Sequence, residues 1–259
     1  MSEPAIALAP LPFELVLEDG EPLDNEWHTY ELPLLRTLIR QVMTERGRTD
    51  FYTGVNQFVY YSVQQAQEVA EEVAKNLDRR DQKAFRGPDV FWVGGVDPGR
   101  ERQVWVAWEE GGRLPDVIFE FLSPSTAKKD RTEKRDLYAR VLRTAEYFMY
   151  EPETRRLEGL SLGRRSSSYR PILPDANGRL WSDQLGVSIG LWQGLVDGRE
   201  GEWIRLFRSD GSLVPTNDEA ERLRAETAEQ QAKTERKRAD TAEAELVRLR
   251  ALLEKRDGA

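Results

Sequence analysis

LPDVIFEFLSPST, residues 114–126, places a carboxylate inside a run that is otherwise apolar. Its β-branched and aromatic residues read as a strand, and strand alternation puts Asp116, Ile118, Glu120 and Leu122 on one face. Val117, Phe119 and Phe121 fall on the other. A glutamate held between Phe119 and Phe121 is costly unless it meets a cation or a donor. Two readings of Glu120 follow from the residues: coordination of a metal, or a buried ion pair with a nearby Arg or Lys. Upstream, RGPDVFWVGG (86–95) sets Pro88–Asp89 at the mouth of a second apolar strand. Downstream, KDRTEKRDLYARVLRTA (129–145) reads as an amphipathic charged helix and EYFMYEP (146–152) as a strand.

The rest of the body continues this alternation. ELPLLRTLIRQVMTERG (31–47) places Leu34, Leu35, Leu38, Ile39 and Val42 on one helical face and ends at Gly47. FYTGVNQFVYYS (51–62) and QVWVAWEE (103–110) read as strands, and 63–82 as helix or loop. Short strands with turn signals, in 156–163, 169–181, 187–194 and 203–215, complete an α/β pattern. From Asn217 to Arg256 the composition shifts to Ala, Glu, Arg and Lys without Gly, Pro or aromatics. There Ala225, Ala228, Ala232, Glu235, Ala239, Ala242, Leu246, Leu249 and Leu253 recur in steps of three and four, the seam of a coiled coil. The same stretch also fits a solitary, solvated charged helix. The expected organisation is an N-terminal extension (1–19), an α/β domain (20–214) and a coiled-coil helical tail (217–257), with Pro215 as the separator.

Bulk composition narrows the chemistry. The 259 residues are 39% apolar and 32% charged, against a usual ~25% charged, so part of the chain is exposed and charge-rich. With no cysteine and one histidine, His28, thiol nucleophiles, Cys-ligated zinc and a Ser/His/Asp triad are excluded or hard to assemble. A metal would be held by carboxylates and carbonyls, which favours Mg²⁺ or Mn²⁺. The first residues carry prolines and no basic residue, and no apolar run reaches the ~20 residues of a membrane span. A cytoplasmic protein without a membrane partner is expected. The net charge of −8 argues against a broad nucleic-acid surface but permits a local basic patch. Residues 128–143 are the most basic stretch of the body, suited to phosphate contacts or to a solvated helix face.

A Pro–Asp strand, a strand with an internal Glu and a basic helix, in that order, resemble the PD-(D/E)xK nuclease superfamily. More closely they resemble the large bacterial restriction-endonuclease-domain family (Uma-type) within it, over about residues 20–214. The motifs are RGPDVFWV, PDVIFEFLSPST, DRTEKRDLYARVLRTAEYFMYEPET and LWSDQLGVSIGLWQG. The resemblance implies a restriction-endonuclease-like mixed sheet flanked by helices. It implies Asp89 and Glu120 as ligands of a divalent metal, with the Phe121 carbonyl as a further ligand. The catalytic lysine expected two residues after Glu120 is Leu122 here. Lys134 is the expected substitute, ahead of Lys128, Lys129 and Arg131; alternatively Lys134 is an exposed lysine paired with Asp130. Asp116 is a fallback ligand or a strand-start turn residue. Glu26, His28 and Glu31 qualify by position in the first helix, which in the superfamily often lends an acidic residue. The implied function is metal-dependent hydrolysis of DNA phosphodiesters by Asp89, Glu120 and Lys134. The alternative is a non-catalytic nuclease-fold module that binds DNA or protein. In either reading the coiled coil would make a homo-oligomer.

Overall fold

The computed structural model describes residues 11–17, 26–75, 84–85, 87–124 and 127–257. These divide into two compact units, 1–214 and 215–259. The strands of the first are β1 (Phe51–Val55), β2 (Val59–Tyr60), β3 (Val90–Gly94), β4 (Trp105–Val106), β5 (Val117–Phe121), β6 (Glu146–Glu151), β7 (Arg156–Leu162), β8 (Tyr169–Pro171), β9 (Leu180–Ser182), β10 (Val187–Val196) and β11 (Arg199–Phe207). Six of them form one sheet in the order β1-β3-β5-β6-β7-β8, parallel only between β5 and β6. A second sheet runs β11-β10-β9, and β2 pairs with β4 in parallel. This is the mixed α/β architecture that the sequence predicts.

Strand alternation in β5 divides the core as expected. Val117, Phe119 and Phe121 join the cluster containing Leu35, Leu38 and Ile39 of α1 (Glu26–Glu45), together with Ile189, Ile204 and Leu206 of the smaller sheet. On the other face, Ile118 and Leu122 join Tyr138, Leu142 and Tyr147. The large sheet is therefore covered on one face by α1 and the smaller sheet, and on the other by the helical segment 127–142. Helix α1 ends where Gly47 takes φ +70°, a left-handed turn that costs glycine nothing. Its amide closes on the Thr44 carbonyl at 2.9 Å.

Two strand expectations change. Residues 51–62 divide into β1 and β2, which belong to different sheets, because Asn56 turns the chain with φ +46°. QVWVAWEE yields only the two-residue β4 before a tight 3₁₀ turn over Ala107–Glu109. Residues 63–74, helix or loop by sequence, form α2 (Val63–Ala74), capped by Ser62 Oγ accepting from the Gln65 amide. The 127–142 segment is not a uniform α-helix. It runs from α3 (Ala127–Lys129) through a π-helical stretch (Asp130–Lys134) and α4 (Arg135–Leu137) to a second π stretch (Tyr138–Leu142).

The second unit is one helix, α5 (Asn217–Asp257). Its start is a capping box, in which the Glu219 amide donates to Thr216 Oγ1 at 3.2 Å and the Thr216 amide to Glu219 Oε2 at 2.7 Å.

Candidate active site

The antiparallel pairing of β3 with β5 sets Val90 opposite Phe119, so Asp89, just before β3, arrives beside the C-terminal end of β5. There the Phe121 amide lies beyond the end of the ladder. It donates instead to Asp89 Oδ2 at 2.7 Å. Glu120 projects from the same strand end toward the 127–142 segment and is only 3% exposed. Lys134 Nζ lies 3.0 Å from Glu120 Oε1 and 2.8 Å from Asp130 Oδ1, and the Tyr138 hydroxyl donates to Glu120 Oε1 at 2.5 Å. Asp130, Lys134 and Tyr138 follow one another at intervals of four, so one side of the segment supplies all three.

The two readings of Glu120 and of Lys134 thus meet in one cluster: Lys134 turns inward to Glu120 and also pairs with Asp130. Three carboxylates, those of Asp89, Glu120 and Asp130, share one buried ammonium, which leaves two negative charges to be met by other groups when all are ionised. Burial first, and repulsion from Asp89 and Asp130 second, push the Glu120 carboxyl well above its ordinary range against the pull of Lys134. Asp89 is raised by burial too, opposed by Lys134 and by the Phe121 amide. For Lys134, burial disfavours the ammonium. Attraction to Glu120, Asp130 and Asp89 overrides it and holds the ammonium above its ordinary value.

His28 is buried on α1 with Nε2 4.0 Å from Asp89 Oδ2, and its ring meets Phe121 edge-on at 5.9 Å. Glu31 is buried as well but elsewhere: Oε1 accepts from the Ile204 amide of β11 at 3.1 Å. Asp116 sits at the opposite end of β5 from Glu120, where Oδ2 accepts from the Gly94 amide and pairs with Arg113 at 3.0 Å. Arg131 is bound to Glu151 and Glu158, Lys128 is exposed and Lys129 half-buried, so of these four basic residues Lys134 is the one that pairs with Glu120. Leu122 is buried among Ile118, Tyr138 and Tyr147, in no position to do a lysine's work. The side chain of Glu26 lies outside the described residues.

The sequence reading did not select Asp130 and Tyr138 as site residues. Their signal was present as the i−4 and i+4 neighbours of Lys134, which share its helix face. Among the described residues no three His, Asp or Glu side chains already form a metal cage. Lys134 Nζ bridges two of the carboxylates, those of Glu120 and Asp130. The donor set nonetheless fits a hard divalent cation: it is all carboxylate oxygen, buried in Glu120 and Asp130 and half-buried in Asp89, and carries more negative charge than its one lysine offsets.

No curated protein matches the chain. Among solved structures it is similar to one described as a "putative nuclease belonging to DUF820" from Anabaena variabilis, at 11% identity and a TM-score of 0.41, over 63% of this chain and 76% of that one. A family model, Uma2, described as "Putative restriction endonuclease", matches residues 34–196, a span that holds Asp89, Glu120, Asp130, Lys134 and Tyr138. With more than half of its length covered by that model, the chain belongs to the Uma2 restriction-endonuclease family.

Proposed function

We propose that the protein is a divalent-metal-dependent endonuclease that hydrolyses DNA phosphodiesters at the cluster of Asp89, Glu120 and Lys134. The observation that carries this reading is the excess of buried carboxylate over cation at the end of β5, in a chain of a restriction-endonuclease family. Asp89 and Glu120 would hold Mg²⁺ or Mn²⁺. Such an ion supplies a Lewis acid that polarises the scissile phosphate and lowers the pKa of an attacking water. The chain's own contribution is positioning and charge. The Phe121 amide fixes Asp89, and Tyr138 and Lys134 fix Glu120, so neither carboxylate has to be ordered when substrate arrives. Lys134, beside Glu120 and Asp130, brings a positive charge to the phosphate. The C-terminal helix joins copies of the chain as a coiled coil, and the protein acts in the cytoplasm; no described helix is long and apolar enough to cross a membrane.

The test is nicking of supercoiled plasmid with Mg²⁺ or Mn²⁺ by the wild type and by Glu120→Ala. Loss of one such group costs on the order of 100-fold or more. Equal rates in the two proteins would assign the cutting to a contaminant or another site. One observation favours a second reading, a non-catalytic DNA- or protein-binding module: the lysine expected at position 122 is a buried leucine, and Lys134 is already engaged by two carboxylates. DNA binding without cleavage under either metal would select that reading.

A further inference from the structure

Helix α5 has 41 residues, and from 221 to 245 every residue is exposed. A helix so polar needs side-chain pairs or a partner to persist. One pair within it is Lys233 with Glu229, at 2.7 Å. We propose that α5 pairs with the α5 of a second copy of the chain, parallel and in register. This does not depend on the nuclease reading; it follows from where the charges lie beside the seam.

With Ala225 taken as the first core position of a heptad, the residues flanking the seam on one side are Arg224, Gln231, Arg238 and Glu245. Those on the other side are Glu229, Arg236, Glu243 and Arg250. In a parallel pair each residue of the first set meets the residue of the second set five positions on in the other copy. In register this gives Arg224 with Glu229, Arg238 with Glu243, and Glu245 with Arg250. All three are opposite in sign, and Gln231 with Arg236 is neutral. A slip of one heptad sets Arg224 against Arg236 and Arg238 against Arg250. A slip the other way sets Arg238 against Arg236 and Glu245 against Glu243.

Antiparallel pairing does no better. At full overlap it places Arg236 against Arg236 and Glu229 against Glu243. Shifting it by a heptad relieves the charges but lays Leu246 against Glu235 or Glu221, whereas the parallel register sets leucine on leucine at 246, 249 and 253. The seam glutamate, Glu235, weighs against this register. In register the two copies of Glu235 share a single layer, each beside Arg236 of the second copy. Two carboxylates in one layer repel, and the adjacent Arg236 of each copy offsets that repulsion, so the alignment is carried by the three opposite-charge pairs and the leucine layers.

The chain has no cysteine, so single cysteines report the alignment without background. The full-length protein is expected to have twice its chain mass by light scattering at micromolar concentration. Ala242→Cys is expected to oxidise to a covalent dimer, since identical core positions face each other only in the parallel register. Arg238→Glu and Glu243→Arg should each weaken self-association roughly tenfold, and the double variant should restore it. A monomeric mass overturns the proposal. So does cross-linking of an Ala232→Cys chain with an Ala242→Cys chain in place of Ala242→Cys with itself, the signature of the antiparallel arrangement. A mass of three or more chains overturns the pairing of two.

Discussion

Glu120 is held from two directions: the Tyr138 hydroxyl donates to the same oxygen, Oε1, that Lys134 approaches. Removing the hydroxyl leaves the ring in place, packed edge-on to Phe85 and Tyr147 at 5.6 and 5.0 Å. Tyr138→Phe therefore tests the hydrogen bond alone. A bond to a charged group contributes about 1.5–3 kcal/mol, so the variant should lose stability of that order in urea. Metal-dependent nicking should fall about tenfold as Glu120 loses half of its restraint. Unchanged stability and unchanged nicking would show the bond to be idle. Glu31 makes a separate prediction. Burial raises its carboxyl well above the ordinary range, opposed by the Ile204 amide and by Arg205, and its Oε2 has no hydrogen-bond partner among the described residues. An acid whose folded pKa lies above its unfolded value near ~4.3 keeps its proton in the folded state after the unfolded chain has released it. Stability therefore falls as pH rises from that value through the raised folded pKa. Glu31→Gln carries no proton to lose, and the difference between its unfolding free energy and the wild type's should grow in its favour over that window. A pH-independent difference would refute the assignment.

At this scale the sequence was informative where chemistry is local. Glu120 stood out because alternation alone makes a carboxylate conspicuous among apolar neighbours, whereas Lys134 was singled out by the family resemblance, its spacing from Asp130 speaking equally for an ordinary helix ion pair. The sequence around His28 gives it no more than its position in the first helix. Its proximity to Asp89 is created by α1 packing on the sheet 61 positions away, and nothing in the sequence around His28 encodes that contact.

Elements show the same division between local and distant causes. FYTGVNQFVYYS carries strand propensity from end to end, so composition alone reads it as one strand. The break comes from a single backbone angle, φ +46° at exposed Asn56, whose amide donates to the Asp89 carbonyl at 2.8 Å. That turn matters to the site because it ties the β1–β2 corner to the residue that opens β3. Asparagine tolerates left-handed backbone, and a β-branched residue does not. Asn56→Val should cost about 1–2 kcal/mol and Asn56→Gly close to nothing, both read by chemical denaturation. Equal costs would mean that the side chain, not the backbone angle, matters there. The 127–142 segment is the complementary case. Its amphipathic period was legible, but the two π-helical stretches, which hold Asp130, Lys134 and Tyr138, were not, since the apolar period alone does not tell a π turn from an α turn. Such stretches inside helices are frequent at functional sites, where they re-aim side chains.

For the molecule as a whole, the site carries charge that the fold does not fully compensate, and this makes metal binding measurable without substrate. A ligand that binds only the folded state adds RT ln(1 + [L]/Kd), about 2.7 kcal/mol at a concentration of 100 Kd. In a body of this size each kcal/mol moves the melting temperature by roughly 2–4 °C, so saturating Mg²⁺ or Mn²⁺ should raise it by about 5–10 °C. Asp89→Asn should abolish most of that shift. Lys134→Met should behave differently, because it removes the ammonium that lies between Glu120 and Asp130. Without metal it leaves the buried carboxylates of Glu120 and Asp130, beside the half-buried Asp89, with no ammonium between them, and should be the least stable of the three proteins. With metal it should gain the most, since the cation no longer competes with the lysine. Melting curves of wild type, Asp89→Asn and Lys134→Met, with and without Mg²⁺ or Mn²⁺, check this order. A Lys134→Met protein that gains no more than the wild type would mean that the lysine and the metal do not share the carboxylates, and that the cation, if it binds, binds elsewhere.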